Sequence, residues 1–138
     1  MSSPRFDLPT VDDETASWWD AARANRLLVK RCADCGRAHL YPRPFCPTCW
    51  SENVAWEKAS GDATLYTWST VLTNDLPPFR ERLPYVAAIV DLDEGPRLES
   101  IIVGAAEPDL TIGMRLRVDF EHSGELSRPV FRAFPTSP

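Results

Sequence analysis

The chain is poor in the residues and motifs that do chemistry. Its only histidines are His39 and His122, far apart in sequence. It has no GxSxG nucleophile elbow, no phosphate-binding P-loop and no GxGxxG dinucleotide turn. Their absence leaves hydrolase, nucleotide-driven and hydride-transfer readings without support. No stretch approaches the ~20 consecutive apolar residues that a membrane-spanning helix needs. Residues Met1 to Leu8 show no apolar core and no cleavage pattern, so no export signal is read there. The expected location is cytoplasmic, with no membrane partner. There is no excess of positive charge either. A net charge of −5 and a pI of about 5.0 argue against non-specific nucleic-acid binding. Internal repeats are absent, and low complexity is confined to the proline-rich ends.

The cysteines are few but committed. Cys32, Cys35, Cys46 and Cys49 form two CxxC pairs, and no further cysteine exists. A CxxC loop aims two thiolates at one point, and two loops complete a tetrahedron suited to zinc. Gly36 relaxes the backbone after the first pair, and Pro47 stiffens the second. Arg31, Arg37 and Arg43 lie close enough in sequence to offset a dianionic centre. Two disulfides and a rubredoxin-like iron site are the rival readings; nothing points to the oxidising compartment that disulfides need. Four cysteine ligands leave no open position, so the metal is expected to be structural.

The length suits one domain, or a small domain with an appendage. Residues Met1 to Val11 read as an extended arm. A helix is expected from about Asp13 to Ala24, with Asp12, Asp13 and Glu14 at its start and Asn25 as its stop. Trp18, Trp19 and Ala22 lie on neighbouring faces of it. They either anchor the helix on its own domain or dock on a partner. Leu27 to Val29 leads as a strand into the first knuckle, and Trp50 and Trp56 are expected to cover the metal module or its joint. Strand-like segments follow at Ala63 to Thr73, Tyr85 to Leu92, Arg97 to Val103, Arg115 to Glu121 and Val130 to Phe134. Asp93-Glu94-Gly95 and Thr111-Ile112-Gly113 read as turns, and Asn74 to Pro84 as a long loop broken at Pro77-Pro78. Tyr85 to Leu92 is mostly apolar and expected to be buried. Five such strands suit a small barrel of the OB type, with a sandwich fragment as the alternative.

The order LLVKRC, CxxCG, YPRPFCPTC, a W-x-x-x-S-G linker, LYTWSTV, PYVAAIVDLDEGPRL and IGMRLRVDFE resembles the acyl-CoA-associated family called domain of unknown function 35, over about Ser17 to Phe134. The resemblance implies a mainly β chain: an N-terminal arm and helix at 1–30, a rubredoxin-like zinc ribbon at 31–57 and a five-stranded OB-fold at 58–138. It implies a partner subunit in a hetero-oligomer with a thiolase-fold enzyme, in some systems with a MaoC-type enoyl-CoA hydratase. The complex would be an acyl-CoA lyase, such as a retro-aldolase of steroid side-chain degradation, or an acyltransferase of lipid metabolism. Structural zinc and a shared acyl-CoA ligand complete the expectation. The ends, Ser2-Ser3-Pro4 and Pro135 to Pro138, suit either a free-standing chain or a piece of a longer protein, with a hydratase domain upstream.

No catalytic set emerges from the residues themselves. His39 sits in the ribbon spacer and reads as a packing histidine, as does His122 at a strand end. Asp91, Asp93, Glu94 and Glu99 gather around a hairpin and read as a solvated turn rather than a paired acid and base. The candidate contact loop is Asn74 to Tyr85, with Phe79, Arg80, Arg82 and Tyr85 facing either CoA phosphates and adenine or a protein partner. A nucleic-acid-binding module of zinc ribbon and OB-fold is the reading from another class. It is disfavoured by the lack of a basic stripe with interleaved aromatics.

Overall fold

A computed structural model describes residues 8–76, 79–124 and 126–134. The expectations that fell on Pro77-Pro78 and on the two ends lie outside these. Helix α1 runs over Ala16–Arg23. It starts three residues later than expected because Asp12 first closes a separate turn. The Asp12 Oδ1 accepts the Thr15 N–H at 3.0 Å, while Thr15 Oγ1 accepts the Asp12 N–H at 3.2 Å. Asn25 does stop the helix. It adopts φ 62°, and the Arg26 and Asn25 N–H groups bond back to Ala21 and Ala22 C=O at 2.8 and 3.0 Å. This double bond pattern satisfies carbonyls that the last turn leaves free. Trp18 donates its Nε1–H to Leu28 C=O at 3.2 Å, and Ala21 and Ala22 are buried. Trp18 thus anchors the helix on its own chain.

The ribbon is a three-stranded antiparallel sheet in the order β2-β1-β3, formed by β1 (Leu28–Cys32), β2 (Ala38–His39) and β3 (Val54–Lys58). The barrel strands are β4 (Asp62–Val71), β5 (Tyr85–Leu92), β6 (Arg97–Ile102), β7 (Arg115–Ser123) and β8 (Leu126–Ala133), closed in the order β4-β5-β6-β8-β7. The sandwich alternative is thereby excluded. Short 3-10 turns lie at Phe79–Arg82, inside the expected loop, and at Glu107–Asp109.

Strand β5 differs from expectation in one respect. Its burial alternates strictly, with Val86, Ala88, Val90 and Leu92 inside. The apolar residues between them face the barrel exterior, so the strand is buried on one face only. The core joins Leu65, Val90, Leu98, Leu116 and Phe131 of the barrel to Leu27 and Val29 from the approach to the ribbon. Burying side chains of this size contributes roughly 1.5–3 kcal/mol each. One apolar cluster therefore holds ribbon, helix and barrel in register.

Candidate metal centre and cleft

The two knuckles are built alike. Cys32 N–H bonds Arg37 C=O at 2.9 Å and Gly36 N–H bonds Cys32 C=O at 2.9 Å. Cys46 N–H bonds Ser51 C=O at 2.7 Å and Trp50 N–H bonds Cys46 C=O at 2.8 Å, at the same offsets. The Ser51 hydroxyl bonds the Asp34 carboxylate and ties one knuckle to the other. The four Sγ atoms all lie within 4.8 Å of one another, with Cys32–Cys49 and Cys35–Cys46 at 3.6 Å. Four thiolates at 2.3 Å from a central zinc would be about 3.8 Å apart, so the donor set fits a tetrahedral ion. All four cysteines are free, not disulfide-bonded.

The electrostatics point the same way. The N–H of Cys49, then that of Thr48, pulls the Cys46 thiol down to about 6 against desolvation. The N–H of Cys35 lowers Cys32 likewise. For Cys49 the Ser51 N–H favours the thiolate, yet desolvation and the thiols of Cys32, Cys35 and Cys46 together push it up to about 12. The Cys46 sulfur is held ready as an anion while Cys49 keeps its proton. A divalent cation at the centre relieves this conflict by replacing the shared protons. Cys32, Cys35, Cys46 and Cys49 would hold it and leave it no open site. Arg31 is already engaged by Glu57, at 2.8 and 3.0 Å, and by Gly36 C=O at 2.7 Å.

His39 lies outside this cluster. Its Nε2 accepts the Arg43 N–H at 3.3 Å and burial keeps the ring neutral. Beside it, buried Lys30 donates to Arg43 C=O at 3.0 Å and sits 4.8 Å over the Trp56 ring, 3.6 Å from Glu14. Trp56 therefore packs where the ribbon meets the N-terminal segment. Trp50 does not cover the metal module: it is 73% exposed and, among the described residues, stacks on Phe45, at 5.3 Å.

Three of the four carboxylates around the β5–β6 turn, Asp91, Asp93 and Glu94, have a partner among the described residues. Asp91 pairs with Arg97 at 2.7 Å, and Asp93 with both Nη atoms of Arg115 at 2.8 Å. Glu94 Oε2 accepts the Ser60 N–H at 2.9 Å. His122 bridges Ser127 Oγ at 2.6 Å and Asn25 Oδ1 at 2.8 Å, joining the helix end to the barrel. These are structural ties, and among the described residues no acid and base of this set converge on a common point.

The contact loop does border a cleft, of about 670 Å³, between the two 3-10 turns and strands β5, β6 and β8. Phe79, Arg82 and Tyr85 line it; Arg80 does not. The Phe79 and Tyr85 rings are 6.2 Å apart, and Tyr85 Oη accepts from Asn74 Nδ2 at 3.0 Å. Glu121 and Arg128 also line the cleft. Glu121 bonds Arg128 at 2.7 and 3.0 Å and meets Arg82 at 3.8 Å. The alternation of β7 puts Glu121 on the same face as Arg115 and Arg117, which was readable; the approach of Arg128 was not.

Comparison with known proteins supports the zinc ribbon and the OB-fold barrel. Residues 19–55 match the family model of the rubredoxin-like zinc ribbon domain of ChsH2, and residues 56–121 that of its C-terminal OB-fold domain. A solved structure described as "Ltp2-ChsH2(DUF35) aldolase" superposes with a TM-score of 0.81 at 35% identity, covering 91% of this chain and 98% of that one. A "DUF35 domain-containing scaffold protein" of Methanocaldococcus jannaschii is 34% identical over 79% of this chain and 77% of its own length. A "Probable enoyl-CoA hydratase alpha subunit" of Thermomonospora curvata is 37% identical over 90% of this chain, which spans 39% of that protein.

Proposed function

As the chain belongs to the DUF35 family of ChsH2-type zinc-ribbon and OB-fold proteins, we propose that it is a non-catalytic accessory subunit. It binds and stabilises a thiolase-fold acyl-CoA enzyme, such as a retro-aldolase of steroid side-chain degradation, and helps shape that enzyme's acyl-CoA site. Structural zinc on the four cysteines stiffens the ribbon. The observation that carries the reading is that His39, Asp91, Asp93, Glu94 and His122 are each tied to a structural partner, beside an open cleft. Phe79, Arg82 and Tyr85 border that cleft and offer ring faces and a cation to CoA or to the partner. The aldolase named in the similar structure supports the class of partner.

A MaoC-type hydratase is the second partner class, favoured by the hydratase alpha subunit of which this chain spans 39%. A nucleic-acid role is disfavoured. The outward arginines Arg97, Arg115, Arg117, Arg128 and Arg132 are each paired with a carboxylate, leaving them little positive charge to offer a phosphate backbone.

Co-purification of the tagged chain with its genomic neighbours, followed by native mass spectrometry, tests the reading. A defined complex with an acyl-CoA enzyme is expected, and that enzyme's identity separates thiolase-fold from hydratase. A metal-loaded chain that returns alone overturns both.

A further inference from the structure

The four sulfurs of the ribbon differ in their surroundings. Cys32 and Cys46 are buried, whereas Cys35 and Cys49 are exposed. Each knuckle thus offers one sulfur to solvent and keeps one behind it. Sulfur meets sulfur across the knuckles: Cys32 with Cys49, and Cys35 with Cys46, both at 3.6 Å. Both contacts join the exposed sulfur of one knuckle to the buried sulfur of the other.

Backbone amides approach the buried sulfurs. The Cys35 N–H points to Cys32 Sγ at 3.5 Å, and the Thr48 N–H to Cys46 Sγ at 3.4 Å. Such contacts favour the thiolate, the nucleophilic form of the group. An accessible sulfur with a thiolate behind it is the arrangement of a redox-responsive pair. The first sulfur is oxidised and the second resolves it. The chain has no other cysteine to divert the reaction.

We propose that the ribbon is a peroxide-responsive switch, which passes from a metal-held to a disulfide-held state. The Cys49 thiolate attacks an oxygen of hydrogen peroxide, the O–O bond breaks, and a sulfenic acid and hydroxide form. The Cys32 thiolate then attacks the Cys49 sulfur, forms the S–S bond and expels the second oxygen as hydroxide. Two electrons pass from the two sulfurs to the peroxide. Cys35 and Cys46 react likewise with a second peroxide, Cys35 being the accessible member.

An S–S bond of about 2.05 Å draws each pair in from 3.6 Å and removes both sulfurs from the ligand set. Disulfides of this pairing tie knuckle to knuckle, as the metal does, so the ribbon keeps its sheet. The charge changes instead. Between residues 31 and 57, Arg31, Arg37 and Arg43 balance Asp34, Glu52 and Glu57. The loaded ribbon therefore carries the net negative charge of four thiolates around a divalent ion, and oxidation removes it. The device lies in the fold itself and does not depend on the accessory-subunit reading.

Hydrogen peroxide treatment of the zinc-loaded full chain tests it, read by metal release, tandem mass spectrometry and amide exchange. The ion should pass to a chromogenic chelator, and the intact mass should fall by two hydrogens per disulfide. Mapping should find Cys32 linked to Cys49 and Cys35 to Cys46. Amide exchange across β1 to β3 should stay within about three-fold of the loaded protein, whereas chelation under reducing conditions should raise it at least about ten-fold. Dithiothreitol with added zinc should restore the thiols and the bound ion. Any other disulfide pairing overturns the inference, as do sulfinic or sulfonic acids without a disulfide. A ribbon that retains its ion through peroxide overturns it too. Ribbon amides that exchange after oxidation as fast as after chelation would do the same.

Discussion

Gly36 and Trp50 occupy equivalent places in the two knuckles, at φ 78° and φ 67°. For a residue with a Cβ, the left-handed region costs roughly 1–2 kcal/mol. The stack of Trp50 on Phe45 returns about 0.5–1.5 kcal/mol, so the two effects nearly cancel. Trp50→Gly should therefore be close to neutral, because it loses the stack and the strain together. Trp50→Ala loses the stack and keeps the strain, and should fall roughly 1 kcal/mol below the glycine variant. Thermal melts of the metal-loaded proteins decide this, and equal Tm values for the two variants would sink the account. Gly61 is a sharper case. A Cβ there would sit 2.6 Å from Val118 Cγ1 at φ 87°, while the Gly61 C=O accepts the Val118 N–H at 2.8 Å. Neither backbone has room to withdraw, so Gly61→Ala should cost about 2–3 kcal/mol. Adding Val118→Ala should recover only the steric share, and full recovery would show that the left-handed backbone contributes nothing.

At the scale of elements, the ribbon depends on its metal far more than the barrel does. Its sheet has three short strands and contributes Val29 to the buried shared core, with Leu27 just before it. The barrel ladder closes on itself without help from the cysteines. Chelation should therefore raise amide exchange across β1 to β3, and in part across α1, whose Trp18 leans on Leu28. The barrel amides should hold, and loss of β4 to β8 along with the ribbon would contradict this. The same contrast in self-sufficiency explains what could be read from the residues. Strand β5 was legible to its ends because a turn at Gly95 and a break before Tyr85 bracket a β-rich run. The knuckles were legible because metal ligands come in fixed spacings. Strand β3 was not, since Val54 to Lys58 gains its pairing from β1, from Leu28↔Lys58 to Cys32↔Val54. Strand β2 has two residues, too few for any periodicity. The cleft was half legible. Phe79, Arg82 and Tyr85 share one loop, but Glu121 and Arg128 join them only because β7 and β8 fold back beside it.

For the whole molecule, the charge is negative but the barrel exterior is a set of local pairs. Asp93 is held below the usual carboxylate range by the hydrogen-bonded Arg115 guanidinium. Asp119 is held down by Arg132, with help from the Phe120 N–H. In the unfolded chain both titrate near 3.9. A carboxyl whose folded pKa is depressed stabilises the fold fully above that value. Its contribution fades as pH falls through the folded pKa. Both pairs are roughly half exposed, so solvent screening keeps each below about 1 kcal/mol. The stability gap between wild type and Asp93→Asn, or Asp119→Asn, should thus stay constant from neutral pH down to about 4 and close below it. Acid also strips metal from thiolates, but it does so in every variant, so the gap isolates the carboxylate. The two pairs share no partner, and the double variant's gap should equal the sum of the single gaps within about 0.5 kcal/mol. Denaturant melts across the pH series measure all three. A gap that persists at the lowest pH would mean that the asparagine disturbs packing rather than charge. A double variant far from additive would mean that the barrel exterior responds as one network rather than as separate pairs.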